Sequence, residues 1–218
     1  MKIVIDWLLS LFKKEKEQIS KTILPVIESK EDQFNFDFSK IKSRKWRGIV
    51  WHHSASPDSI TRDWEGIVRY HKSYRVDFNI VTEREFERMR KEKQGKVFEE
   101  PWKDVGYNFG TEWENKKIIC NIGRSLESIG AHAGVKGVSN LYNEQYIGIC
   151  AIGNFDIVPP HPTHWEFNLD LTRALMKIFL IDKNEVIGHR EVYDRLGVAR
   201  QKSCPGGFWN MDKFRYEL

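Results

Sequence analysis

The chain has 218 residues, enough for one large domain or a domain with an appendage. Hydrophobic residues make up 40% and aromatic residues 13%, ample for a packed core, so global disorder is excluded. The 35 Lys and Arg barely exceed the 31 Asp and Glu, which argues against a nucleic-acid binder but is compatible with an anionic partner. The 3 cysteines lie far apart, offer no disulfide framework and fit a reduced compartment.

The segment Ile3 to Phe12 is largely apolar but is interrupted by Asp6, has only Lys2 as a basic start and lacks a small-residue cleavage site. It is too short to cross a bilayer, which takes about 20 residues. A short helix packed on the domain is expected there, rather than an interfacial anchor edged by Lys13, Lys14 and Lys16. Residues 1–43 read as an N-terminal extension expected to be helical, and the main domain, 44–218, begins at Arg44.

Within that domain Arg47 to His52 is a strand candidate, followed by a turn-rich stretch from Ser54 to Ser59. Trp64, Ile67, Val68 and His71 then recur at helical spacing. From 82 to 94 the chain is mostly charged. Thr82 with Glu85 makes a capping box and Gly95 a stop, so a solvated helix with a narrow apolar side of Phe86 and Met89 is expected. A second capping box, Thr163 with Glu166, opens a stronger helix with Leu171, Ala174, Leu175 and Ile178 on one stripe. Further strands are expected at Tyr107–Gly110, Lys117–Asn121, Tyr146–Ile152 and Glu185–Gly188. Interspersed strands and helices imply an α/β domain with a central mixed β-sheet flanked by helices.

No phosphate-binding glycine loop, dinucleotide fingerprint or serine elbow is present. What remains is a set of histidines and one cysteine at element ends. His52 and His53 close the first strand, His189 follows the last, and Cys204 lies in the loop-forming run Lys202-Ser203-Cys204-Pro205-Gly206-Gly207. Two imidazoles and a thiolate with an open fourth position suit a catalytic zinc, provided the sheet brings those strand ends together.

These residues carry a resemblance. Ile49-Val50-Trp51-His52-His53-Ser54-Ala55-Ser56 is followed in order by Val105-Gly106-Tyr107-Asn108-Phe109, Asn121-Ile122-Gly123-Arg124, Gly130-Ala131-His132-Ala133, Ile147 to Phe155, Ile187-Gly188-His189-Arg190-Glu191 and Lys202-Ser203-Cys204-Pro205-Gly206. The chain resembles the zinc-dependent type 2 N-acetylmuramoyl-L-alanine amidases, a family that includes phage lytic amidases and peptidoglycan recognition proteins. The resemblance implies one zinc per chain held by His52, His189 and Cys204, with Tyr107 and Lys202 as the catalytic pair. It places His132 and Asn143 on the substrate groove.

It further implies hydrolysis of the amide between N-acetylmuramic acid and L-alanine in bacterial peptidoglycan, or, as the alternative, a non-catalytic peptidoglycan-binding module. The lack of a recognisable secretory signal favours a phage endolysin made in the cytoplasm and acting on the wall after release. No nucleic-acid partner and no stable membrane span are expected. A protein partner, such as a polymerase, is suggested by some relatives, but no residue here specifies one. The chain departs from the family's usual pattern at Asn108, where histidine is common, in a long stretch between His189 and Cys204, and in a charged insertion at about 72–104. That insertion either walls one side of the groove and contributes substrate binding or is a passive surface decoration.

Overall fold

In the computed structural model of the chain, residues 38–55, 62–92 and 95–218 are described. The expected helix at Ile3 to Phe12 and nearly all of the N-terminal extension lie outside them. Contacts divide the chain into two compact units, Met1–Ile41 and Lys42–Leu218, and the second unit carries the chemistry. Among the described residues no helix is long and apolar enough to cross a membrane.

The second unit is built on a mixed sheet of five strands. Strand β1 is Gly48–His53, followed by helix α1, Trp64–His71. Three short strands and one helix come next: β2 Tyr74–Val76, β3 Asn79–Val81, α2 Glu83–Lys91 and β4 Phe98–Glu99. The main sheet resumes with β5 Phe109–Glu114 and β6 Lys117–Ile122, then α3 Leu141–Gln145 and β7 Tyr146–Ala151. The long helix α4 spans Pro162–Phe179, and β8 Val186–Gly188 leads straight into α5 His189–Arg195. Helix α6, Met211–Glu217, ends the chain.

The sheet order is β6-β5-β7-β1-β8. Only β5 and β6 are antiparallel; β5, β7, β1 and β8 run parallel. This is the expected α/β class with a central mixed sheet. Strand β1 lies inside the sheet, paired on both sides and buried at every position, so its apolar run need not alternate. Successive side chains still point to opposite faces. Trp51 goes to one face, where it stacks on Trp209 at 5.3 Å, meets Phe214 at 5.5 Å and donates its indole N–H to Thr172. Val50 goes to the other face, packed with Ala133, Tyr142, Tyr146, Ile187, Val192 and Tyr193. Burying that much aromatic and branched surface drives the two helical layers onto the sheet.

Two expectations shift. Helix α4 begins before Thr163: Pro162 supplies the preset φ of a first helical residue, and His161 caps it by accepting from the Thr163 N–H. The proposed box with Glu166 is therefore not the cap. The strand expected at Tyr107–Gly110 begins at Phe109 and runs to Glu114, leaving Tyr107 just ahead of it.

The insertion is more than a charged helix. Strands β2, β3 and β4 form a separate small antiparallel sheet in the order β3-β2-β4. Asp77 and Phe78 turn the β2–β3 hairpin with positive φ values of 50° and 67°. Aspartate is common at the first of these positions, but glycine rather than phenylalanine is usual at the second, so the hairpin left little trace in the sequence. Helix α2 keeps its Thr82–Glu85 capping box and packs Phe86 against Tyr74 at 4.9 Å and Phe98 at 5.5 Å.

Candidate active site

Strand pairing decides which side chains meet. β1 and β8 are parallel neighbours with Trp51 opposite Gly188, so the residues that follow them emerge together at one end of the sheet. His52 and His189 consequently lie with ring centroids 4.6 Å apart. Cys204 reaches them from a loop that is tied down on all sides. Its carbonyl accepts from the Arg190 N–H at 2.7 Å. The Arg190 guanidinium donates to the carbonyls of Ser203, Gly206 and Trp209 at 3.1, 2.7 and 2.8 Å. Asp156 accepts from the Ser203 hydroxyl at 2.6 Å and the Gly207 N–H at 2.8 Å. The thiol itself receives the His53 backbone N–H at 3.4 Å and lies 3.6 Å from His52 Nδ1. Donor atoms of His52, His189 and Cys204, all three buried, lie within 4.8 Å of one another.

Burial sets the protonation of this cluster. It holds His52 well below the usual imidazole range and pushes His189 down to about 3, so both rings are neutral at pH 7 with lone pairs to offer. Burial pushes the Cys204 thiol up to about 12, a proton that a metal cation would displace. His189 Nε2 is buried without a hydrogen-bond partner. Two neutral imidazoles, one thiol and an unpaired ring nitrogen fit a zinc ion with one coordination position left open.

The cluster sits in a cavity of about 780 Å³. Tyr107 lines it, with its ring centroid 5.0 Å from that of His52. Burial raises the Tyr107 hydroxyl well above its ordinary range, so it remains a proton donor. Lys202, exposed, lines the same cavity beside Gln201 and Ser203. His71 and Trp102 stack at 4.5 Å and line it as well. The insertion contributes to the lining as well: Arg75, Phe78, Asn79 and Glu99 line the cavity, whereas no residue of α2 does.

The remaining sequence-picked residues fall differently. His132 reaches the cavity, with Nδ1 3.0 Å from His52 Nε2. Asn143 does not line the cavity; its Oδ1 accepts from the His132 and Ala133 N–H groups at 2.7 and 2.8 Å. Asn108, the departure from the family's histidine, is buried immediately ahead of β5, accepting from the Gly148 N–H and donating to the Arg124 carbonyl. That substitution concerns the sheet rather than the groove. His53 turns away from the cluster: its Nδ1 accepts from the Phe155 N–H at 3.2 Å. Arg190 and Asp156, which hold the cysteine loop, carried no local signal of that role.

The sequence profile described as N-acetylmuramoyl-L-alanine amidase matches residues 42–207. The chain belongs to the N-acetylmuramoyl-L-alanine amidase family. No curated protein is similar enough in sequence to match it. Among solved structures, the fold is similar to the endolysin N-acetylmuramoyl-L-alanine amidase LysCS from Clostridium intestinale, at 22% identity and a TM-score of 0.50, covering 84% of this chain and 91% of that one. The N-acetylmuramoyl-L-alanine amidase LysC from the same organism gives 22% identity, a TM-score of 0.47 and coverage of 84% and 93%. Drosophila PGRP-LB gives 22%, 0.45, and coverage of 76% and 80%. The family match takes in every element from β1 to the cysteine loop.

Proposed function

We propose that the chain is a zinc-dependent amidase that hydrolyses the amide between N-acetylmuramic acid and L-alanine in peptidoglycan, working as a phage endolysin released onto the wall. The observation that carries this reading is the convergence of His52, His189 and Cys204 in one cavity with Tyr107 and Lys202. A module that only bound its ligand would have no chemical need for that donor set beside a proton donor and a cation.

His52, His189 and Cys204 would hold the ion. The chemistry zinc supplies when bound is acidification of water and polarisation of the scissile carbonyl. The chain's own residues do the rest. Neutral imidazoles keep their lone pairs for coordination, and the Arg190 and Asp156 contacts keep the thiol loop in place. Tyr107, held protonated by burial, donates a hydrogen bond to the oxyanion that develops as the carbonyl is attacked. Lys202, lining the same cavity, adds a positive charge that stabilises the developing negative charge electrostatically. The β2–β3 hairpin contributes binding surface through Phe78 and Asn79, which line the cavity.

The test is digestion of purified peptidoglycan by the zinc-loaded chain, following new L-alanine amino termini together with turbidity. Amine release that requires zinc is the expected result. Binding to the wall without new amino termini would instead make this a recognition module of the same fold.

A further inference from the structure

We propose that His132 is a positioning residue for the metal centre, fixing the tautomer of His52 so that Nδ1 is its bare, ligating nitrogen. This rests on the zinc reading of the cluster given above. His132 Nε2 lies 3.1 Å from the Tyr146 carbonyl oxygen. A carbonyl only accepts, so His132 carries its proton on Nε2 and keeps a lone pair on Nδ1. That Nδ1 lies 3.0 Å from His52 Nε2, so His52 donates from Nε2 and has no proton on Nδ1. The bare Nδ1 is the atom 3.6 Å from the Cys204 sulfur. Two hydrogen bonds thus run from a main-chain carbonyl of β7 to the metal-facing nitrogen.

The ring is seated for this purpose. A Cβ added at Gly130 would come within 2.5 Å of His132 Cδ2, and one at Gly148 within 2.4 Å of the same atom. Any side chain at either position would push the imidazole off its partners. Asn143 fixes the backbone beneath it through the two N–H bonds of His132 and Ala133. The His52 and His132 rings meet edge to face at 5.0 Å, and His132 is only 9% exposed. The opposite tautomer of His52 would aim an N–H at Cys204 and at any bound cation. Anchoring the outer N–H of a ligand histidine also raises its basicity and stops its ring from turning. Two glycines, an asparagine and a histidine therefore act as one support for a single ligand.

Long-range proton–nitrogen NMR of the imidazoles in the metal-free full chain tests this directly, paired with zinc Kd from chelator competition. His52 and His132 should both be Nε2–H tautomers in the parent chain. His132→Leu should leave His52 in mixed tautomers and raise the zinc Kd about 10–100-fold. His132→Asn, which restores an acceptor near the Nδ1 position, should recover part of that loss. A role confined to packing would lower the melting temperature of both variants and leave tautomer and Kd unchanged. An Nδ1–H tautomer of His52 in the parent chain overturns the proposal, as does parental zinc affinity in His132→Leu. If His132→Leu does not fold, the tautomer in the parent chain decides alone. If the parent chain binds no zinc, the zinc reading fails by itself, and the metal-free tautomer still decides whether His132 sets the state of His52.

Discussion

Arg190 grips the loop of Cys204 through both its backbone and its side chain. Its N–H donates to the Cys204 carbonyl at 2.7 Å, while its guanidinium gathers the carbonyls of Ser203, Gly206 and Trp209. Three acceptors arranged around one planar fork are beyond the reach of an ammonium group. Arg190→Lys should therefore loosen the loop despite keeping the charge. The expected cost is on the order of 1–3 kcal/mol of unfolding free energy and about tenfold or more in zinc affinity. Denaturant titration and chelator competition measure the two effects, and an unchanged zinc Kd would separate the clamp from the metal centre.

Removing zinc should abolish amide cleavage and lower the melting temperature. Binding to the native state alone adds RT ln(1 + [L]/Kd), about 4 kcal/mol at a thousandfold excess over Kd. Calorimetry with and without chelator checks the stability, and wall digestion checks the activity. Full cleavage by a thoroughly demetallated sample would sink the zinc reading.

Lys202→Ala and Tyr107→Phe should keep zinc but lose rate. Removing one preorganised stabiliser of an oxyanion costs about 10²–10³ in kcat. Single-turnover rates on purified wall fragments, with metal content measured in each variant, give the answer. Parental rates in either variant would remove that residue from the chemistry.

The insertion should divide into a groove wall and its buttress. Phe78, 67% exposed at the hairpin tip, lines the cavity, while Phe86 is 1% exposed beneath the hairpin. Phe78→Ser should raise KM on wall fragments with little change in kcat, because it removes uniform binding. Phe86→Ala should destabilise the chain by about 3–5 kcal/mol, as large-to-small core changes do. An unchanged KM in Phe78→Ser across fragments of increasing length would reduce the hairpin to decoration.

Acid should weaken the fold before it reaches the carboxylates. His164 is buried against Thr111, and burial pushes it down to about 4 from an ordinary 6.5. Between those values the unfolded chain binds the proton and the folded chain does not, so stability is full above pH 6.5 and falls as pH drops toward 4. The loss from this one histidine is on the order of 3 kcal/mol. Urea unfolding at pH 7 and pH 5 should show the drop, and His164→Gln should remove this histidine's share of it; an equal drop in both chains would assign the acid sensitivity to the other buried histidines.

Local signals named the parts of this molecule that are local. The Thr82–Glu85 box is written in four adjacent residues, and the strand around the apolar run Ile49-Val50-Trp51 needs no distant partner to be seen, so both were legible without neighbours. The order of the short motifs around His52, Tyr107, His132, His189 and Cys204 named the family. Other features depend on which segments the sheet sets side by side. The parallel pairing of β1 and β8 puts His52 beside His189, and the Asp77–Phe78 turn brings Phe78 to the cavity although phenylalanine is not typical of such turns. The resemblance places Asn143 on the groove, whereas its Oδ1 accepts from the His132 and Ala133 N–H groups, partners that lie in another loop. Arg190 and Asp156 hold the cysteine loop through hydrogen bonds to main-chain atoms and a serine hydroxyl, contacts that impose no pattern on the residues they join. Composition and periodicity record burial and backbone preference; the directed bonds that seat a reactive group arise only when distant strands share an edge.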